Sequence, residues 1–228
     1  MENQKVYKSL DRRDGNMLPG NLKGLPDESF FLQSDKETLV FIDSNFISKL
    51  SKHFGNGKYI LYDLVIFSEN LAKKQNLLCK KICYYTAPPF QSSIFTKEEQ
   101  IKKVGYVKFI DKLRKMGVVV REGRCQRLKI DGKFEYKQKG VDILLAMDLM
   151  NIPLKFPQVK KAILIASDSD FVPIIESLRE QEIKTILYTY YEKRRDTIFS
   201  RSNHLIKSVY KYVLLSYLLR IMKLNCNY

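Results

Sequence analysis

The chain has 228 residues, of which 45% are hydrophobic. It is therefore long and apolar enough to form one domain with a substantial core, and this composition excludes a chain that is disordered throughout. Its apolar runs fall far short of the roughly 18 residues of a transmembrane helix, and its first residues lack the apolar stretch of a signal peptide. We therefore expect a cytoplasmic protein with no membrane partner. The formal net charge of +15 favours a polyanionic partner, and nucleic acid is the first candidate.

The positive charge is concentrated in two segments. From Lys102 to Lys139 there are 13 Lys and Arg against four Asp and Glu, and from Lys184 onward there are nine against two. Residues 1–36 carry six charges of each sign and several Gly and Pro residues, which predicts a polar N-terminal arm. The folded domain is then expected at 37–228. A merely solvated, lysine-rich surface is the alternative explanation for the charge.

The cysteines do not indicate a disulfide framework or a zinc site. There are four, at positions 79, 83, 125 and 226, and only two histidines accompany them. This number and scatter favour reduced thiols, most of them buried.

In chain order, apolar runs alternate with helical patterns. The predicted strands lie at 39–42, 81–85, 118–121, 162–166 and 184–188. The predicted helices lie near 45–52, 59–75, 97–116, 141–150, 171–181 and 203–223. An inserted β-hairpin is predicted at 124–138, because Asp131-Gly132 suits the two positive φ angles of a tight hairpin turn. The alternation predicts an α/β fold, with a doubly wound parallel sheet flanked by helices.

Aspartates follow two of these strands. Asp168 and Asp170 come directly after the run 163–166, and Asp43 ends the run 38–42. Ligands of open α/β sheets bind at the carboxyl ends of the strands. Grouped carboxylates repel one another unless they share a cation or a proton, and such oxygen-rich sites suit Mg²⁺ or Mn²⁺. An ordinary helix N-cap is the alternative role, and it applies most of all to Asp170.

A predicted helix that begins after Gly140 supplies a third carboxylate. Asp142 lies in its first turn, beside the small residue Ala146. Asp148 lies six residues further along, which is about 120° around the helix, so both carboxylates cannot point at one metal. Asp142 is therefore assigned to the site, and Asp148 to a supporting or structural role.

Three blocks of the sequence resemble the signature blocks of NYN domains, PIN-like ribonuclease domains that include the LabA-like group. The blocks are Phe41-Ile-Asp43-Ser-Asn45, the segment from Lys139-Gly-Val-Asp142 to Asp148, and Asp168-Ser-Asp170-Phe-Val-Pro173. Both their order and their spacing match, and the resemblance covers about residues 39–188. It implies a PIN-like α/β fold and hydrolysis of RNA phosphodiester bonds. It also implies a catalytic Mg²⁺ or Mn²⁺ site built from Asp43, Asp142, Asp168 and Asp170.

Chemical reasoning from the residues agrees with the resemblance. Metal ions held by carboxylates can activate water, neutralise phosphate charge and stabilise a leaving oxygen. Side chains near the aspartates are expected to help in binding RNA: Asn45 and Ser169 by orienting water or carboxylates, and Lys139 by touching a phosphate. A basic path that leads to the aspartates is also predicted, formed by the hairpin residues Arg124, Arg127 and Lys129 and by Lys193, Arg194 and Arg195, whose loop can approach the Asp168 turn. A homodimer is compatible with the sequence.

Two other functions are left open. Ser44 stands where NYN domains often have Gly, Ala166 where a hydroxyl residue is usual, and Ser167 where Gly follows it. These departures are compatible with an RNA-binding module of weak or no catalytic activity. A phosphatase that acts on small metabolites is less well supported, because no DxDx[TV] motif follows the first strand.

Overall fold

The computed structural model describes residues 36–193 and 197–215. Except for Lys36, the predicted N-terminal arm lies outside the described residues. The same holds for Arg194, Arg195 and the chain after residue 215. No helix in the described ranges is long and apolar enough to cross a membrane.

A six-stranded parallel sheet forms the centre of the fold. Its strands are β1 (Glu37–Asp43), β2 (Leu78–Thr86), β3 (Val119–Glu122), β6 (Lys161–Ile165), β7 (Lys184–Thr189) and β8 (Lys211–Leu214). They are arranged in the order β3-β2-β1-β6-β7-β8. The chain thus moves outward from β1 to β3 and then returns to β6 on the other side of β1. This confirms the predicted doubly wound parallel sheet, and it places the reversal of strand order between β1 and β6.

Helices cover both faces of the sheet. They are α1 (Ser44–Phe54), α2 (Leu64–Lys73), α3 (Lys97–Lys115), α4 (Val141–Met150), α5 (Ile152–Lys155), α6 (Val172–Glu180) and α7 (Asn203–Ser208). The first three pack on one face of the sheet and the last four on the other, so there are two separate hydrophobic cores. Strand β1 supplies both of them, because Val40 and Ile42 point to one face and Leu39 and Phe41 to the other. A continuous apolar run is typical of strands that are covered on both sides.

Helix α3 begins where the sequence predicts. The Thr96 hydroxyl accepts a hydrogen bond from the Glu99 N–H, and the Glu99 carboxylate accepts one from the Thr96 N–H, so the capping box is complete. The apolar residues that indicate this helix are, however, largely exposed: Ile101 is 72% exposed and Phe109 44%. The buried contacts of α3 are made by Ile110 and Leu113, close to its C-terminal end.

The predicted hairpin is confirmed. Strands β4 (Arg124–Ile130) and β5 (Lys133–Lys139) pair antiparallel as a separate two-stranded sheet. The turn residues Asp131 and Gly132 have φ angles of 49° and 78°, as a type I′ turn requires. The Arg127 guanidinium lies over the rings of both Phe90 and Phe134, at 4.7 and 4.6 Å from the centroids.

The helix predicted over 203–223 is wrong at 209–215, and its later residues lie outside the described part of the chain. Helix α7 ends at Ser208, and Lys211–Leu214 forms strand β8 against β7. The Tyr210 and Leu215 N–H groups donate to the carbonyls of Thr185 and Thr189. These bonds satisfy backbone groups of β7 that would otherwise form an open sheet edge, so the strand prevails over an apolar spacing that suits a helix. The helix predicted from residue 59 also begins late, at Leu64, where the Asp63 carboxylate caps it.

Candidate active site

The carboxyl ends of β1 and β6 carry two matched aspartate turns. Asp43 ends β1 and caps α1, with its Oδ1 accepting the Asn45 N–H at 2.9 Å. Asp168 follows β6 and caps a short 3₁₀ helix (Ser169–Phe171), with its Oδ1 accepting the Asp170 N–H at 3.0 Å. Since β1 and β6 are hydrogen-bonded neighbours at the reversal of strand order, the two turns lie side by side where ligands of doubly wound sheets bind.

Asp142 joins them from helix α4. Gly140, with a φ of 78°, turns the chain from β5 into this helix and puts Asp142 in its first turn. Partial burial raises the pKa of the Asp142 carboxyl, and repulsion from Asp168 and Asp170 adds to this shift. Asp142 is therefore close enough to feel the charges of Asp43, Asp168 and Asp170, although Asp142 and Asp170 do not line the cleft described below.

Asp43 is the buried member of the group, with 7% of its surface exposed. Desolvation raises its pKa to about 6, and repulsion from Asp142 acts in the same direction. The Asn45 and Phe46 N–H groups and the Lys49 ammonium oppose this shift without cancelling it. An additional positive charge at this position would stabilise the ionised carboxylate.

A cleft of about 350 Å³ opens above these turns, and we call it the aspartate cleft. One wall contains Asp43 and Asn45, and another contains the segment 167–169. The third wall is the segment 198–202, which belongs to the connection between β7 and α7. Among the described residues, the basic side chains that line the cleft are Lys49 and Arg201. Carboxylates and cations thus face the same space, an arrangement suited to a phosphate bound through a metal ion and basic side chains.

Aromatic contacts hold the third wall against α1. The His53 ring meets the Phe199 ring at 5.1 Å, and Phe54 meets Tyr190 edge-on at 5.0 Å. The His53 Nε2 also lies 3.2 Å from a Glu192 carboxylate oxygen. These contacts fix the base of the connection, so the position of Arg201 at the aspartate cleft depends on packing between segments distant in sequence.

The donor set of the site fits a hard divalent cation. All four aspartates offer carboxylate oxygens, and the raised pKa values of Asp43 and Asp142 mean that a cation would be favoured there. Within residues 36–193 and 197–215, no three acidic, His or Cys side chains are close enough to form a preassembled metal cage. Mg²⁺ needs only one or two protein carboxylates and retains several waters, so the residues present are compatible with it.

The residues predicted to bind nucleic acid have different positions. Asn45 and Ser169 both line the aspartate cleft. Lys139 and Lys193 are exposed to solvent and do not line it. Lys49 and Arg201 line the cleft but are not among the residues predicted from the sequence. Lys49 could have been found, because it lies four residues after Asn45 and hence on the same side of α1, whereas nothing in the sequence marks Arg201.

Asp148 lies apart from this group. Its Oδ2 accepts the Tyr85 hydroxyl hydrogen bond at 2.9 Å and lies 3.2 Å from the Arg121 Nε. It therefore ties α4 to β2 and β3 in a structural role. Of the three departures from the NYN pattern, Ala166 is completely buried in the core and Ser44 is 3% exposed, whereas Ser167 lines the aspartate cleft.

Comparison with known proteins identifies the family. The model of the NYN domain matches residues 37–211, about three quarters of the chain. The protein belongs to the NYN domain family. NYN domains are part of the PIN-like nuclease superfamily, which generally uses divalent metals, and they generally act on RNA.

A solved structure of a protein of unknown function from Vibrio parahaemolyticus is similar to this chain. The two share 17% identity with a TM-score of 0.49, over 80% of this chain and 94% of the other. No curated protein matches the chain.

Proposed function

We propose that this NYN domain is a divalent-metal-dependent endoribonuclease that hydrolyses RNA phosphodiester bonds at the aspartate cleft. The observation that carries the proposal is that Asp43 and Asp168 follow neighbouring strands at the reversal of strand order and line one cleft, with Asp142 close enough to repel both. Two basic side chains, Lys49 and Arg201, line the cleft beside them. The NYN family and the net charge of +15 both favour RNA as the polyanion.

In this proposal Asp43, Asp142, Asp168 and Asp170 hold Mg²⁺ or Mn²⁺. The bound ion would activate water and neutralise charge on the phosphate. Lys49 and Arg201 hold the phosphate in the aspartate cleft, and Asn45 and Ser169 donate to its oxygens or to bound water. Lys139 and Lys193 are exposed and lie outside the cleft, and in this proposal they attract the RNA backbone from solution.

The test replaces Asp168 with asparagine. An amide still accepts the Asp170 N–H and so keeps the turn, but it removes the negative charge. We expect Asp168→Asn to abolish cleavage of single-stranded RNA in Mg²⁺ or Mn²⁺ while retaining RNA binding. EDTA should abolish cleavage by the unaltered protein.

Asp63→Asn is the matched control. The Asp63 carboxylate caps a helix with the same turn geometry, accepting the Val65 N–H at 2.9 Å, but it lies outside the cleft. The cleavage rate of Asp63→Asn should equal that of the unaltered protein. Cleavage that survives both EDTA and Asp168→Asn would refute the proposal.

The second candidate function is an RNA-binding module without turnover. It is favoured by the absence of a preassembled metal cage among the described residues and by the replacements at Ser44, Ala166 and Ser167. It predicts that RNA is retarded in a gel and remains intact with every divalent metal. It also predicts that Mg²⁺ and Mn²⁺ produce no thermal shift of the protein.

A further inference from the structure

A second and larger pocket, of about 530 Å³, opens beside the aspartate cleft. We call it the aromatic pocket, because its walls include Tyr59, Tyr84, Tyr106 and Phe109. Asn45 lines both this pocket and the aspartate cleft, so the two adjoin at the start of α1. Thr86, at the carboxyl end of β2, is also in the wall and places the pocket at the same edge of the sheet.

Two of these rings are available to a ligand. Tyr59 is 59% exposed and Phe109 is 44% exposed. The Tyr84 ring lies beneath them, buried, and meets Phe109 edge-on at 5.9 Å between centroids. Phe109 is part of the apolar pattern of α3 that does not enter the core, and its exposed ring forms part of the wall of this pocket.

Polar groups accompany the rings. The Ser48 hydroxyl and the Gln138 amide line the pocket, and Lys102 lies in its wall. Aromatic faces with a few hydrogen-bonding groups and a nearby cation are the features by which proteins bind unstacked nucleobases. A nucleotide uses both the rings and these polar side chains, whereas a purely apolar peptide would use the rings alone, so a nucleotide fits this lining better.

We propose that the aromatic pocket binds an unpaired nucleobase of the RNA, adjacent to the phosphate that occupies the aspartate cleft. This inference rests on the proposed function and deepens it. A base in the pocket must leave its stack, so the pocket selects single-stranded segments over duplex RNA. It also fixes which phosphate of a strand reaches Asp43 and Asp168, because Asn45 lies between the two spaces.

The experiment measures binding of a 5′-labelled, unstructured RNA to the full chain by fluorescence anisotropy in EDTA, so that cleavage does not intervene. Tyr59→Leu removes the ring and retains apolar bulk, whereas Tyr59→Phe retains the ring. We expect Tyr59→Leu to weaken binding roughly tenfold, as is usual for the loss of one stacked base, and Tyr59→Phe to have little effect. Phe109→Leu provides a second variant with the same expected loss.

Tyr210→Leu is the matched control. Tyr210 is 61% exposed and has a lysine 4.9 Å from its ring, much as Tyr59 has one at 4.8 Å. Its N–H donates to the Thr185 carbonyl near the start of β7, whereas the aspartates lie at the opposite, carboxyl ends of the strands. Binding by Tyr210→Leu should equal that of the unaltered protein.

A single abasic residue, scanned along the RNA, locates the stacked base. At one position it should weaken binding to the unaltered protein by the same roughly tenfold factor and leave binding to Tyr59→Leu unaffected. If the unaltered protein binds and cleaves RNA but Tyr59→Leu and Phe109→Leu bind it as tightly, the aromatic pocket is not a base site and the proposed function stands. If the unaltered protein neither binds nor cleaves RNA, the proposed function fails and this inference fails with it.

Discussion

Replacing Asp43 with asparagine should stabilise the protein at neutral pH in the absence of divalent metal. The Asp43 carboxyl is buried and its pKa is raised to about 6 in the folded chain, from 3.8. An acid whose pKa is higher in the folded state binds its proton more tightly there. Its contribution to stability is therefore complete below about pH 4 and is lost as the pH rises through about 6. An amide never ionises, and it still accepts the Asn45 N–H.

The raised pKa sets the size of the effect. One pKa unit corresponds to about 1.4 kcal/mol, so the ionised Asp43 lowers the free energy of unfolding by up to about 3 kcal/mol at pH 7.5. We expect Asp43→Asn to recover about 1–3 kcal/mol of this. For a domain of this size that is an increase in Tm of about 2–12 °C. At pH 4 the two proteins should melt at nearly the same temperature.

Thermal unfolding at pH 4 and pH 7.5, in a buffer containing EDTA, checks this prediction. Asp63→Asn is again the control, because it replaces a capping carboxylate in the same turn geometry outside the cleft, and Asp and Asn cap about equally well. Addition of Mg²⁺ should raise the Tm of the unaltered protein more than that of Asp43→Asn. An Asp43→Asn protein that melts below the unaltered one at pH 7.5 would show that the carboxylate does not strain the fold.

Two further predictions concern α3 and the basic side chains of the cleft. Thr96→Ala removes one half of the capping box and should lower the free energy of unfolding by about 1 kcal/mol, measured by urea denaturation, with Thr96→Ser close to the unaltered protein. Lys49→Ala combined with Arg201→Ala should weaken RNA binding for unrelated sequences and reduce the slope of log affinity against log salt by about 1.4, since two phosphate contacts to a single strand are lost. An unchanged slope would place the RNA backbone outside the aspartate cleft.

The sequence predicted the parts of the fold that depend on local patterns. Asp131-Gly132 determines the hairpin, Thr96 and Glu99 determine the start of α3, and the apolar run before Asp43 determines β1. Each of these signals acts within a few residues and needs no knowledge of the partner elements. The family resemblance rests on three such blocks, and the family match confirms it.

The remaining features depend on contacts between segments distant in sequence. Residues 209–215 have an apolar spacing that suits a helix, yet the open edge of β7 pairs with them as β8. Arg201 reaches the aspartate cleft because aromatic packing fixes the connection before it against α1. Phe109 has helical spacing and was expected on the apolar face of α3, but that face extends beyond the edge of the core. No local pattern contains these facts.

The energetic cost of Asp43 is itself an argument about function. A helix needs an acceptor at its N-cap, and Asn or Ser provides one as well as Asp does. Asn at position 43 would cap α1 without desolvating a charge or repelling Asp142. The chain instead has an ionisable group that destabilises the fold at neutral pH, at the reversal of strand order and beside a second aspartate turn of the same geometry. Rules of local stability fail most often at functional sites, where a group is retained for what it binds. A cation bound between these turns, as proposed above, would remove the penalty on Asp43, and this gives the carboxylate a purpose that capping alone does not.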